Sequence, residues 1–382
     1  MKLAAHIRWT LLSLALMLAV PAVAQQQSGK TAKKEPKPEK PDSLKDTTLA
    51  KFYESEDPME VTLTFNIKRV KGDKGDDAPY RDATFSFTPP GASAPVNMPI
   101  KVKTHGIWRL KNCDFPPLRL NFSGKESKGT VFARVDKPKL TSYCRNDDGY
   151  EQYVLQELQA YRIYQRVSPY SHAARAVHVT YVDSVSGKPV ATRYGFFQED
   201  PDKFAERFRG KITKQTGAGP ADLDPYQSTV FGLFQYLIGN TDFSIAALHN
   251  VEILTRMSAD EAIPVARDFD FSGIVNTRYA TPNDKLGIRR VRDRLYRGYC
   301  FPDSNFTKAI ALFNTKKDAI YGLYHDKIGQ LLKPDIVKET TEYLDDFYKT
   351  INNPRDAKRQ LMVVIQRPSA TMTTCSSPRT HR

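Results

Sequence analysis

The residues best equipped for chemistry fall in two short polar runs. The first is Gly239-Asn240-Thr241-Asp242-Phe243-Ser244, followed by His249-Asn250. The second is Arg267-Asp268-Phe269-Asp270-Phe271-Ser272-Gly273, delivered by the apolar stretch Pro264-Val265-Ala266. Residues 251–254 read as a strand and residues 258–261 as a hairpin turn, which predicts that Asn250 and Asp268 lie close together. Carboxylate and amide oxygens in such a place suit Mg²⁺ or Mn²⁺, with Asp270 as a second candidate ligand. Asp242, upstream of both, is placed to take a proton from an attacking hydroxyl. Asx turns and helix caps use the same residue types, so it is the ordered set rather than any one acid that points to a site. G-x-S-x-G, H-E-x-x-H and Walker A sequences are absent, so serine-hydrolase, zinc-protease and P-loop chemistry lack their usual marks.

The elements that must position these residues show in the hydrophobic period. Val61, Leu63, Phe65 and Ile67 alternate with polar residues, the mark of a half-buried strand. Phe85 and Phe87, then Met98, Ile100 and Val102, then Leu118, Leu120 and Phe122 predict three more, and residues 177–182 and 194–197 a further two. Between them the spacing turns helical: Tyr150, Tyr153, Val154, Leu158, Tyr161 and Tyr164 form one stripe, with Glu157 inside it. A carboxylate on a buried face needs a partner, because an unpaired buried charge is costly; a Glu at the helix edge would instead reach water. Tyr226, Val230, Phe234 and Leu237 mark a helix ending at Gly239, and residues 303–351 hold further amphipathic helices. A β-rich front and a helical back predict an α+β fold with two lobes.

The first 24 residues read as a secretory signal: Lys2 and Arg8, an apolar run over residues 11–20, then Ala22-Val23-Ala24. No later run approaches the length of a membrane span, so no transmembrane segment is expected. Residues 25–55 are rich in Lys, Pro and Glu and read as a flexible linker, and residues 367–382 as a disordered tail. The folded body is then expected as a β-rich part over residues 56–200 and a helical part over residues 201–366. A formal charge of +14 favours anionic partners, but export argues against nucleic acid. Cys113, Cys144, Cys300 and Cys375 contain no C-x-x-C pair, which disfavours a zinc site. One or two disulfides fit an oxidising compartment, and the sequence does not choose among the pairings. Arg289, Arg290, Arg292 and Arg294 form a basic run that suits either an acidic substrate or an ion-paired surface.

Over residues 98–330 the chain resembles the CotH family of secreted, atypical protein-kinase-like proteins. The matching stretches are Cys113-Asp114-Phe115-Pro116-Pro117-Leu118-Arg119-Leu120, Lys139-Leu140-Thr141-Ser142-Tyr143-Cys144, the helix around Glu157, and residues 195–200. The two polar runs above and Arg294-Leu295-Tyr296-Arg297-Gly298-Tyr299-Cys300 complete the pattern. The resemblance implies a two-lobed atypical kinase-like fold, with a β-rich N-lobe and a mainly helical C-lobe. It implies ATP or another nucleoside triphosphate with Mg²⁺ or Mn²⁺, and transfer of the γ-phosphoryl group to a Ser/Thr or other hydroxyl of an exported protein or glycan. Lys139 resembles the phosphate-holding lysine and Glu157 the carboxylate that orients it. Glu199 and Asp200 would lie near the base, Asp242 resembles the catalytic aspartate, and Asn250 and Asp268 resemble the metal ligands, with Asp270 beside them. Two features depart from the pattern. His105-Gly106-Ile107-Trp108-Arg109 stands in place of a Gly-rich phosphate loop, and Asp242 and Asn250 are eight residues apart. A catalytically silent scaffold that binds an envelope protein or polysaccharide is the competing expectation.

Overall fold

The alternating strands close on themselves. In the computed structural model, which describes residues 48–361 except Lys74 and Asp76, seven strands form a closed barrel. They are β1 (Met59–Phe65), β2 (Arg81–Phe87), β3 (Val96–Thr104), β4 (Leu118–Phe122), β5 (Lys139–Thr141), β6 (Ala174–Asp183) and β7 (Pro189–Gln198). Their order around the barrel is β1-β2-β3-β4-β5-β7-β6. Neighbours are antiparallel except at the seam, where β1 runs parallel to β6 from Met59↔Val177 to Phe65↔Asp183. Closure removes both sheet edges and lets one face of each strand fill the interior. Leu63, Phe65, Phe85, Val102, Leu120, Phe122, Val177, Val179 and Phe197 are all buried there.

The barrel corrects the expected two-lobed, kinase-like architecture. The strand at residues 59–65 pairs on both sides, with β2 and with β6, so the front is a closed, barrel-centred fold and not an open N-lobe sheet. Hydrophobic period reports which face of a strand is buried, but not whether the sheet's two ends meet. Residues 48–55, assigned to the linker, are part of this structure. Phe52 is fully buried against Phe132 and Phe197, and Arg175 donates to its carbonyl oxygen at 2.7 Å. The expected signal sequence, the remainder of the linker over residues 25–47, Cys375 and the tail lie outside the described residues.

A second core surrounds two helices, Asp148–Val167 and Pro225–Ile238. Asp147 caps the first by accepting from the backbone N–H of Gly149 and Tyr150, which satisfies donors that a helix start leaves open. That helix is buried on most sides, not on a single stripe: Gln152, Gln156, Gln159 and Arg162 are buried along with Tyr150, Tyr161 and Tyr164, while Tyr153 is half-buried. Each finds polar partners, as burial requires; Gln156 and Gln159, for example, donate to the carbonyl oxygens of Ile274 and Leu323. The second helix is capped by Asp224 and ends at Gly239, whose φ of 63° is the left-handed conformation that terminates helices. A three-stranded sheet follows, built from β8 (Gly210–Thr213), β9 (Val251–Arg256) and β10 (Ala259–Ala266) in the order β10-β9-β8. Among the described residues no helix is long and apolar enough to cross a membrane.

Cys113 and Cys144 form a disulfide across 31 residues, tying the short helix Trp108–Asn112 to the segment before the central helix. Serine at both positions is expected to lower the unfolding free energy by about 3–4 kcal/mol through the freed loop. Denaturant unfolding of the double variant checks this; a midpoint equal to wild type would contradict it.

Candidate active site

Two backbone turns set the geometry. β9 and β10 form the expected hairpin, with Ala266 opposite Val251, so both polar runs leave the same end of the sheet. The Arg267 N–H donates to the Asn250 carbonyl at 3.2 Å, which fixes the two runs side by side. Asn250 and Asp268 both adopt positive φ, 52° and 61°. This conformation is uncommon for residues with a side chain, although Asn and Asp tolerate it best. The Asp268 N–H is held there by the Tyr161 hydroxyl at 2.9 Å, from the central helix.

Asp268 meets the barrel through Lys139. This residue lies on β5, paired with Arg119 of β4 and Gln198 of β7. Its Nζ stands 3.1 Å from Asp268 Oδ1, and its side chain is largely buried. Burial alone would raise the Asp268 carboxyl, but Lys139, then Arg109 and Arg267, outweigh it and hold it well below the ordinary carboxylate range. His105 faces the same space. Burial first, then Lys139 and Arg119, push its imidazole down to about 3, so it is neutral at physiological pH.

Glu157 and Asp270 complete the cluster. Carboxylate oxygens of Glu157, Asp268 and Asp270 lie within 4.8 Å of one another. Glu157 is expected to orient Lys139, but its ion pair is with Arg109, at 2.5 Å to Oε2. Arg109 Nε reaches Asp270 Oδ2 at 2.9 Å, so one guanidinium bridges two acids. The Tyr279 hydroxyl also donates to Asp270 Oδ2, at 3.1 Å. Burial raises the Glu157 carboxyl above its ordinary value against the pull of Arg109. Its second oxygen, Oε1, is buried and has no hydrogen-bond partner. Such an atom is costly unless something binds it, and three hard carboxylates around it fit Mg²⁺ or Mn²⁺. Asn250, an expected ligand, is placed differently. Its amide donates to Asp242, at 2.8 Å to the carbonyl and 3.0 Å to Oδ2. Glu157, from the central helix, joins Asp268 and Asp270 in the acid cluster.

Asp242 is oriented from several sides. His249 Nε2 lies 2.9 Å from Oδ1 and Asn250 Nδ2 3.0 Å from Oδ2, while the carboxylate stays partly exposed. Arg297 donates to the carbonyls of Thr241 and Phe243 on either side. Hydrogen bonds join Asp242 to Asn250, Asn250 to Arg267 and Asp268 to Lys139, with the peptide bond between Arg267 and Asp268 linking the two halves.

Glu199 stands apart from this set. Its carboxylate is buried, bound by Arg207 at 2.8 Å through both oxygens and by the Ala173 N–H at 3.1 Å. Asp200 caps the helix Pro201–Arg207 and lies 3.4 Å from Arg119. Both side chains named for base recognition are therefore taken up by structural partners. Part of the basic run has partners too: exposed Arg290 pairs with Asp293, and Arg294 donates to the carbonyls of Tyr236, Leu237 and Tyr343 while lying over the Tyr343 ring.

Arg109 and Tyr279 escaped the sequence reading. For Arg109 a signal existed: an acid inside an apolar helical stripe demands a cation, and Arg109 sits in a run, Ile107-Trp108-Arg109-Leu110, with apolar neighbours on both sides. No protein-family model matches this chain and no curated protein matches it.

Proposed function

We propose that this protein is a metal-dependent phosphotransferase that moves the γ-phosphoryl group of a nucleoside triphosphate to a hydroxyl of a protein or glycan. The observation that carries the reading is the approach of Lys139 on the barrel to Asp268 on the hairpin, with Glu157 and Asp270 beside them. Phosphoryl transfer needs positioning and cations more than covalent chemistry, and a lysine next to converging carboxylates supplies both. Glu157, Asp268 and Asp270 would hold Mg²⁺ or Mn²⁺, which offsets charge on the phosphoryl oxygens when bound. Lys139 releases Asp268 and turns its ammonium to the phosphates. His105, neutral beside Lys139, adds no charge to the site. Asp242, with its oxygens fixed by His249 and Asn250, accepts the proton of the attacking hydroxyl. The order of motifs that resemble those of CotH proteins fits the same reading. The Cys113–Cys144 bond and the signal-like N-terminus favour an oxidising, exported setting.

One observation favours a silent scaffold instead: Arg109 already neutralises two of the acids. Asp242→Asn separates the readings. With labelled nucleoside triphosphate, Mn²⁺ and a casein-like acceptor, kcat is expected to fall about a hundredfold in the variant, in the range of a lost general base, with nucleotide affinity kept. Equal rates in both proteins would rule out Asp242 as the base, and absence of transfer by wild type would favour the scaffold.

A further inference from the structure

Three carboxylates at one point carry more charge than a buried site tolerates, so their counter-ions decide how the site behaves. Here the counter-ions are Lys139 and Arg109, and they differ in kind. Lys139 touches one acid, Asp268, from the barrel. Arg109 spans the other two, Glu157 and Asp270, with both nitrogens of its fork in use. Its side chain is 8% exposed, and theirs are 1% and 8%.

We propose that Arg109 is the resident counter-cation of the acid cluster, and that a divalent ion binds by exchanging with it rather than by joining it. The inference rests on the metal site proposed above. Charge is the first argument. Arg267 is paired with Glu252, so the three acids and the two cations that touch them leave one negative charge. A divalent ion added to that set leaves one positive charge, whereas one exchanged for the guanidinium leaves none. In a low-dielectric site the neutral arrangement is strongly preferred. Ligand geometry is the second argument. Arg109 occupies Glu157 Oε2 and Asp270 Oδ2, while Glu157 Oε1 stays unpartnered. An ion that used both acids fully would need the oxygens that Arg109 holds.

The displaced side chain would move toward the aromatic rings beside it, and those rings must shift to admit it. A water-sized cleft of about 10 Å³ beside Arg109 and Glu157 is walled by Tyr150, Tyr153, Tyr279 and Ser142. Aromatic faces receive guanidinium groups well. The Tyr150 ring already does so on this molecule, with Arg278 and Arg145 lying 5.0 and 5.7 Å from its centroid. The backbone need not follow. The helix Trp108–Asn112 is pinned by the Cys113–Cys144 bond at its end and by the stacking of Trp108 on Tyr279 at 4.4 Å. Exchange is then a rotation of one side chain over a fixed base.

Calorimetric titration of Mn²⁺ into wild type, Arg109→Gln, Arg109→Lys and Asp268→Asn tests this. Arg109→Gln is expected to bind Mn²⁺ about tenfold more tightly or better, because no cation has to leave. Its melting temperature should also rise more with Mn²⁺ than that of wild type. Arg109→Lys keeps the charge but cannot bridge both acids, so it too should bind more tightly than wild type, which covers the case in which the glutamine variant fails to fold. Affinity equal to or weaker than wild type in the folded Arg109 variants overturns the exchange, even where Asp268→Asn abolishes binding and so upholds the metal site. Binding that Asp268→Asn leaves unchanged, or absent from every form, overturns the metal site and the exchange together.

Discussion

Asp268→Asn is expected to reduce phosphoryl transfer on the order of a thousandfold, or ~4 kcal/mol of transition-state stabilisation. The substitution keeps the side chain's shape and its contact with the Tyr161 hydroxyl through the backbone N–H. It removes the negative charge that faces Lys139 and completes the acid cluster. Effects of this size follow when a carboxylate that would hold the cation offsetting the phosphoryl oxygens is lost. The loss should fall on kcat and also lower stability, since Asp268 is the partner of a largely buried Lys139 and its carboxyl is held well below the ordinary range. Steady-state kinetics alongside thermal unfolding separates the two effects. A variant that folds normally and transfers phosphate at the wild-type rate would remove Asp268 from the reaction.

Glu157→Ala is expected to act on stability as well. Glu157 is fully buried in the middle of the central helix and gives Arg109 one of its two acids. Removing one member of a buried ion pair leaves the other under-compensated in a place water does not reach, and such changes cost about 3–5 kcal/mol. Asp270 remains for Arg109 and softens the loss. Replacement of Glu157 and Arg109 together by apolar residues should recover much of the stability, because the uncompensated charge goes with them. A double-mutant cycle by denaturant unfolding measures this coupling. Additive losses would show that the two side chains do not depend on one another.

Much of the local structure was legible in the sequence because burial leaves a period. The alternation at Val61, Leu63 and Phe65 gave β1, and the polar runs at 239–250 and 267–273 were correctly joined by a hairpin. Barrel closure was not legible, because the parallel pairing of β1 with β6 joins residues more than a hundred positions apart and leaves no local trace. β5 was missed for a related reason: Lys139-Leu140-Thr141 is too short to show a period, yet it carries the lysine that meets Asp268. Within the site, residue type was legible and partnership was not. Glu157 announced that it needed a cation, but Arg109 and Lys139 were equally able to supply one. Only the position of the helix Trp108–Asn112, set by the disulfide and by Trp108 on Tyr279, decides for Arg109. Asn250 was expected beside Asp268 as a metal ligand, and the donor direction of its amide turns it toward Asp242 instead.

Electron spin resonance of Mn²⁺ with a nucleoside diphosphate addresses the site itself, independently of any acceptor. Bound to the wild-type chain, the ion should show phosphorus hyperfine coupling from the nucleotide, and that signal should vanish in both Asp268→Asn and Lys139→Met. Spectra that are the same in wild type and both variants, or a protein that leaves Mn²⁺ and nucleotide free in solution, would contradict a phosphate-and-metal site built from the barrel lysine and the hairpin acids.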